Sequence, residues 1–135
     1  MKYIYEILFE IGSKKNKSDK INLLKNNESW ALKDVLKGTF DDRIKWLLPT
    51  GEPPYQESEP HNHPSNLIRE HKKFRYFAKG GPGSKLSAVK RESIFIGLIE
   101  SIHPEDAKIV INMINKMPPK GISKSIVQEA FPGLL

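Results

Sequence analysis

The stretch with the most to offer chemically is Phe74-Arg75-Tyr76-Phe77-Ala78-Lys79-Gly80-Gly81-Pro82-Gly83-Ser84-Lys85-Leu86. Glycines let a backbone come close to a ligand, and a helix opening at Ser84 would turn unpaired N–H groups toward an anion. Cations stand on both sides of the loop. Phosphate binding draws on that combination. The competing reading is a helix–loop–helix turn with a solvated basic face, and the aromatics suit a core better than a ligand. A shorter version, Lys120-Gly121-Ile122-Ser123-Lys124, again leads glycine and lysine into a helix start.

Other constellations fit catalysis poorly. Asp41-Asp42 and Glu105-Asp106 are adjacent carboxylates, but neighbours on a helix point about 100° apart and cannot share one substrate as acid and base. Helix starts explain them better. His61, His63 and His71 sit in or beside proline-rich, acidic sequence with no carboxylate spacing that suits zinc or iron. No phosphate loop ending in Lys-Ser/Thr and no serine elbow occurs. With no cysteine, disulfides, thiolate metal sites and cysteine nucleophiles are excluded together. No cofactor is expected.

The charge is unevenly placed. The 135 residues carry a formal +6. Residues 71–91 contain seven Lys and Arg and no acid, whereas residues 49–70 hold one Arg against four Glu. A focused basic segment suits a polyanion, nucleic acid first and an anionic membrane surface second. The longest apolar run is the six residues 94–99, far short of the roughly 20 that span a bilayer. The opening MKYIYEILFE has glutamates within its apolar stretch and no small-residue cleavage site, so no signal peptide is expected. The resulting expectation is a cytoplasmic protein without membrane contact.

The elements that must position these residues read as helices. Apolar residues at helical spacing predict one over about 3–11 that ends at Gly12, and a second capped by Ser18 that carries Ile21 and Leu24. A third is predicted over 29–37, closed by Gly38, then a short helix through Phe40 to Leu48. Five prolines between Pro49 and Pro64 predict a long irregular loop, 49–66, wrapped on the surface or mobile, within one domain, 1–135. Further helices are predicted over 67–78, over 85–101 capped by Ser84, from Pro104 to about Met117, and after Ser123. No strand-period segment occurs. The fold expected is all-α, a compact bundle of about six to eight short helices.

The C-terminal run from Lys120 through Phe131-Pro132-Gly133-Leu134-Leu135 resembles the end of the helical DNA-binding domain of ATP-dependent DNA ligases, especially those of T-even-like bacteriophages. The N-terminal pattern is similar too: an opening helix, Gly12-Ser13, a lysine-rich turn and Lys25-Asn26. The likeness covers 1–48 and about 84–135, while 49–70 match poorly. It implies a domain that grips duplex DNA across the minor groove ahead of a nucleotidyltransferase domain. Here the sequence stops where that domain would begin, and the adenylation motif Lys-x-Asp-Gly is missing. Gly83-Ser84-Lys85-Leu86-Ser87 stands where the family has a Gly-Lys-Leu-Arg-like element, keeping the Lys and losing the Arg. The resemblance further implies a phage origin and a bacterial host's cytoplasm.

Together these readings predict a non-enzymatic duplex-DNA-binding protein. Lys79, Lys85, Lys90, Arg91, Lys120 and Lys124 would neutralise phosphates. Gly80, Gly83, Ser84, Gly121 and Ser123 would supply backbone or hydroxyl donors. Base specificity should be slight, because such helix starts read phosphates. The alternative is an adaptor whose apolar tail, Phe131 to Leu135, binds a replication protein such as a sliding clamp or polymerase.

Overall fold

The computed structural model describes residues 2–135. Its helices are α1 (Ile4–Ser13), α2 (Lys17–Asn26), α3 (Trp30–Phe40), α4 (Leu67–Glu70), α5 (Ala88–Ile99), α6 (Pro104–Ile114) and α7 (Lys124–Ala130). Two 3-10 turns, His71–Tyr76 and Pro82–Lys85, lie between α4 and α5. Among the described residues there is no strand, only the isolated bridges Trp46–Ala78 and Glu59–Asn62. The all-α expectation holds. No described helix is long and apolar enough to cross a membrane.

One apolar cluster holds the helices together. Ile4, Ile7, Leu8 and Ile11 form the buried stripe of α1, and Leu32, Val35 and Leu36 that of α3. α6 lies against both and supplies Val110, Met113 and Ile114. Phe77 is fully buried and meets Phe95 edge-on at 5.3 Å between ring centroids. Phe74 is buried beside it in the cluster, so two of the aromatics of the basic stretch are core, as their type suggests.

Several local expectations are corrected. α2 starts at Lys17, one turn of chain after Gly12, which leaves Ser18 inside the helix. α3 continues through Gly38 to Phe40 because Gly38 serves packing there, not termination. A Cβ on it would stand 2.6 Å from Met113 Sδ and 2.7 Å from Trp46 Cζ2. The segment 41–48 is irregular, not helical. Asp41 ends α3 and folds the chain back by accepting from Arg43 N at 3.0 Å and from the Arg43 side chain at 3.0 and 2.9 Å. Only Leu67–Glu70 of the predicted 67–78 helix is α-helical, and the remainder tightens into the 3-10 turn. The cap of α5 is Ser87, whose Oγ accepts from Lys90 N at 3.1 Å, and not Ser84.

The proline-rich loop 49–66 is pinned to α5 and α6. Gly51 N donates to Asn115 Oδ1 at 2.6 Å, and Asn115 Nδ2 returns a bond to Gly51 O at 3.1 Å. Gln56 N donates to Glu100 Oε2, Ser58 Oγ to Ile102 O, and Ser65 N to Ser101 O. Prolines supply no N–H of their own, so the remaining backbone groups find partners on the neighbouring helices.

Candidate nucleic-acid interface

The basic segment is held in place from two sides. Lys79 N donates to Lys45 O at 2.8 Å and Leu47 N to Phe77 O at 2.7 Å, which lays residues 45–47 along 77–79. On the other side, Gly83 packs directly on the 3-10 turn: a Cβ there would collide with Tyr76 O and Cα. Only glycine fits that contact. Arg91 completes the arrangement. Its Nε donates to Leu47 O at 3.1 Å, and its Nη1 to Gly83 O at 3.1 Å and Leu86 O at 3.0 Å. The guanidinium therefore ties three segments together, a structural role beyond the phosphate contact expected of Arg91.

The loop's own donors are also partly used. Gly80 N donates to Ser84 Oγ at 2.7 Å, and Ser84 N to Gly81 O at 3.0 Å. What remains directed outward is cationic. Lys72, Arg75, Lys79, Lys85 and Lys90 are exposed, and among the described residues none forms an ion pair. Lys73 differs, since it pairs with Glu70 at 3.0 Å.

The second glycine–lysine element packs on the end of α1. Gly121 fits against Gly12, and Lys20 Nζ donates to Gly121 O at 2.6 Å. Ser123 Oγ caps α7 by accepting from Ile126 N. Lys120 is exposed and free of an ion pair, whereas Lys124 lies 3.4 Å from the exposed carboxylate of Asp42. That pair joins the two elements. Lys124 touches Asp42 and Lys79 bonds Lys45, and three residues of chain span at most about 10 Å. Both glycine–lysine elements thus flank the 41–46 segment.

That segment adds two cations that sequence reasoning did not select, Arg43 and Lys45, although their alternation beside Asp41-Asp42 is visible in the chain. The Arg43 guanidinium, hydrogen-bonded to Asp41, holds the Asp41 carboxyl well below the usual carboxylate range. Lys116 Nζ donates to Gly38 O at 2.8 Å and Asp41 O at 2.9 Å, and burial lowers its pKa.

The histidines make separate contacts. His71 Nδ1 lies 2.5 Å from Asp34 Oδ2 and links the 3-10 turn to α3. His63 contacts Tyr3 Oη at 3.0 Å and Ser65 O at 2.8 Å, and His61 is exposed. No group of three or more His, Cys, Asp or Glu among the described residues is placed to hold a metal ion. Sequence reasoning also missed a partly buried cluster of Tyr3, Tyr5, His63 and His103, whose rings lie 4.7–5.8 Å apart, with the buried Asp106 beside it. Asp106, 1% exposed, accepts the free N–H of Tyr5 in the first turn of α1 at 2.8 Å. Burial pushes its carboxyl up to about 6.

The apolar tail folds back on the helices. Phe131 is buried, Leu134 and Leu135 are half-buried, and Leu134 O accepts from Lys37 Nζ at 2.7 Å.

Residues 7–118 match a family of unknown function, DUF6433. The chain belongs to that family. The DUF6433 match takes in the whole basic segment 71–91 and stops before Lys120, so the C-terminal motif that resembles the ligase domain lies outside it. A search of curated proteins found no match.

Proposed function

We propose that the protein binds duplex DNA without base specificity, as a non-catalytic module akin to the helical DNA-binding domain of ATP-dependent ligases. The observation that carries this reading is the set of exposed, carboxylate-free cations Lys72, Arg75, Lys79, Lys85 and Lys90 on one anchored segment. Lys120 and the Lys124–Asp42 pair extend it across the 41–46 strap. Free lysines displace the cations condensed on DNA phosphates directly, whereas ion-paired ones must first give up a carboxylate. Arg91, Gly80, Gly83 and Ser84 contribute by shaping the loop, and Gly121 and Ser123 by setting the start of α7.

Four of these five cations are lysines, which meet phosphates as point charges, so affinity should come mainly from backbone charge. Titration of a labelled random-sequence duplex at several salt concentrations tests the proposal. Binding that weakens steeply with salt is expected; absent binding at low salt, or affinity indifferent to salt, would overturn it.

A further inference from the structure

The face of the molecule bordered by α5 and the proline-rich loop carries the opposite charge from the basic segment. A groove of about 790 Å³ runs there, floored by Phe95, Ile96, Ile111 and Ile114. Val89 stands at its edge 77% exposed. The volume lies within the range of about 300–1,000 Å³ usual for binding clefts. Its only charged lining residues are Glu52, Glu92 and Glu100; no Lys, Arg or His reaches it. Glu52 and Glu92 form no ion pair among the described residues, in a chain of net charge +6.

The walls are set before any ligand arrives. Pro49, Pro53 and Pro54 stiffen the loop side, and the paired Gly51–Asn115 bonds fix it to the end of α6. On the helix side, Val89, Ser93, Ile96 and Glu100 follow one face of α5. Gly97 lies beside them, and a Cβ on it would meet nothing within 4 Å. A glycine inside a helix costs about 1 kcal/mol relative to alanine, and no contact within this fold requires one here. The open space over Gly97 leaves room for close approach from outside the fold.

We propose that this groove is a docking site for a basic amphipathic peptide segment of a protein partner. Its apolar side chains, at helical spacing, fill the floor, and its Lys and Arg meet Glu52, Glu92 and Glu100. DNA, anionic lipid and acidic peptides are repelled by the same rim. Pre-formed walls reduce the ordering that binding requires, and helix-in-groove recognition reads such spacing directly.

The test is selection of 16-residue peptides from an unbiased displayed library on the full chain, with the best binders mapped by amide chemical shifts. Enrichment of peptides that combine Lys or Arg with apolar residues at i, i+3, i+4 and i+7 is expected, with shifts along α5 and residues 48–54. The double change Glu52→Lys/Glu92→Lys should weaken them about tenfold or more, as should Gly97→Trp, while replacing Lys79, Lys85 and Lys90 by Gln should not. The shift map on the unaltered chain decides the matter if a variant fails to fold. No enrichment, enrichment of neutral or acidic peptides, or shifts elsewhere would overturn the proposal. So would a dimer in sedimentation that Glu52→Lys/Glu92→Lys abolishes, because the occupant would then be a second copy.

Discussion

Replacing Arg91 by Gln separates the scaffold of the basic segment from its cations. The guanidinium donates to Leu47 O, Gly83 O and Leu86 O at 3.0–3.1 Å. A hydrogen bond from a charged donor contributes about 1.5–3 kcal/mol, but three from one half-buried group are not additive, so about 2–4 kcal/mol in total is expected. With an unfolding entropy of about 2.1 cal/mol/K per residue, a chain of this length loses about 7–14 °C in Tm. Arg91→Lys, with one ammonium in place of a fork, should recover no more than about half of that. Differential scanning calorimetry measures the stability, and DNA titrations at matched salt measure the slope of log K against log salt. The slope should be unchanged in Arg91→Lys. A Tm change below about 2 °C in Arg91→Gln, together with a slope flattened by about 0.9, would refute the structural role and return Arg91 to the phosphates.

Three further outcomes are expected. Gly83→Ala should destabilise the fold by about 1–3 kcal/mol, because backbone and not a flexible side chain blocks the new methyl; denaturant melts check this. Asp106 has a folded pKa raised by burial to about 6, so its contribution to stability is lost as pH rises from about 4 to 6. His103, whose pKa burial lowers, works in the opposite sense, and stability falls as pH drops through its unfolded value of about 6.5. Asp106→Asn keeps an acceptor for Tyr5 N and removes the first term, so its stability should rise steadily from pH 5 to 7 while the parent's stays flatter. A parallel pair of pH profiles would contradict that. Phe77→Ala should cost about 3–5 kcal/mol, since the ring is fully buried against Phe95.

The helices were readable because their apolar residues recur at 3.6-residue spacing and, for α7, because Ser123 announces its own cap. Positions where a second element decides the outcome were not readable. Gly38 resembles a stop signal until Met113 and Trp46 arrive against it. Ser84 resembles a cap until its hydroxyl turns to Gly80 and leaves the role to Ser87. The same holds for the site. Seven cations without an acid mark the segment, but which of them are free depends on partners distant in sequence. Leu47, 44 positions away, accepts from Arg91, and Asp42 claims Lys124 across 82 positions. The loop 49–66 offers few periodic cues, and its order comes from bonds to Asn115, Glu100, Ser101 and Ile102.

The central claim is that unpaired lysines of the anchored segment carry the affinity for duplex DNA. Salt-dependent titration of Lys79→Gln/Lys85→Gln/Lys90→Gln tests it, beside the charge-matched control Lys2→Gln/Lys73→Gln/Lys108→Gln. The control residues are ion-paired with Glu10, Glu70 and Glu105. Each phosphate contact contributes about 0.9 to the slope, so three lost contacts should flatten it by about 2.7 and the control should flatten it far less, with both Tm values close to the parent's. Equal flattening in the two triple variants, or a larger effect in the control, would contradict the account.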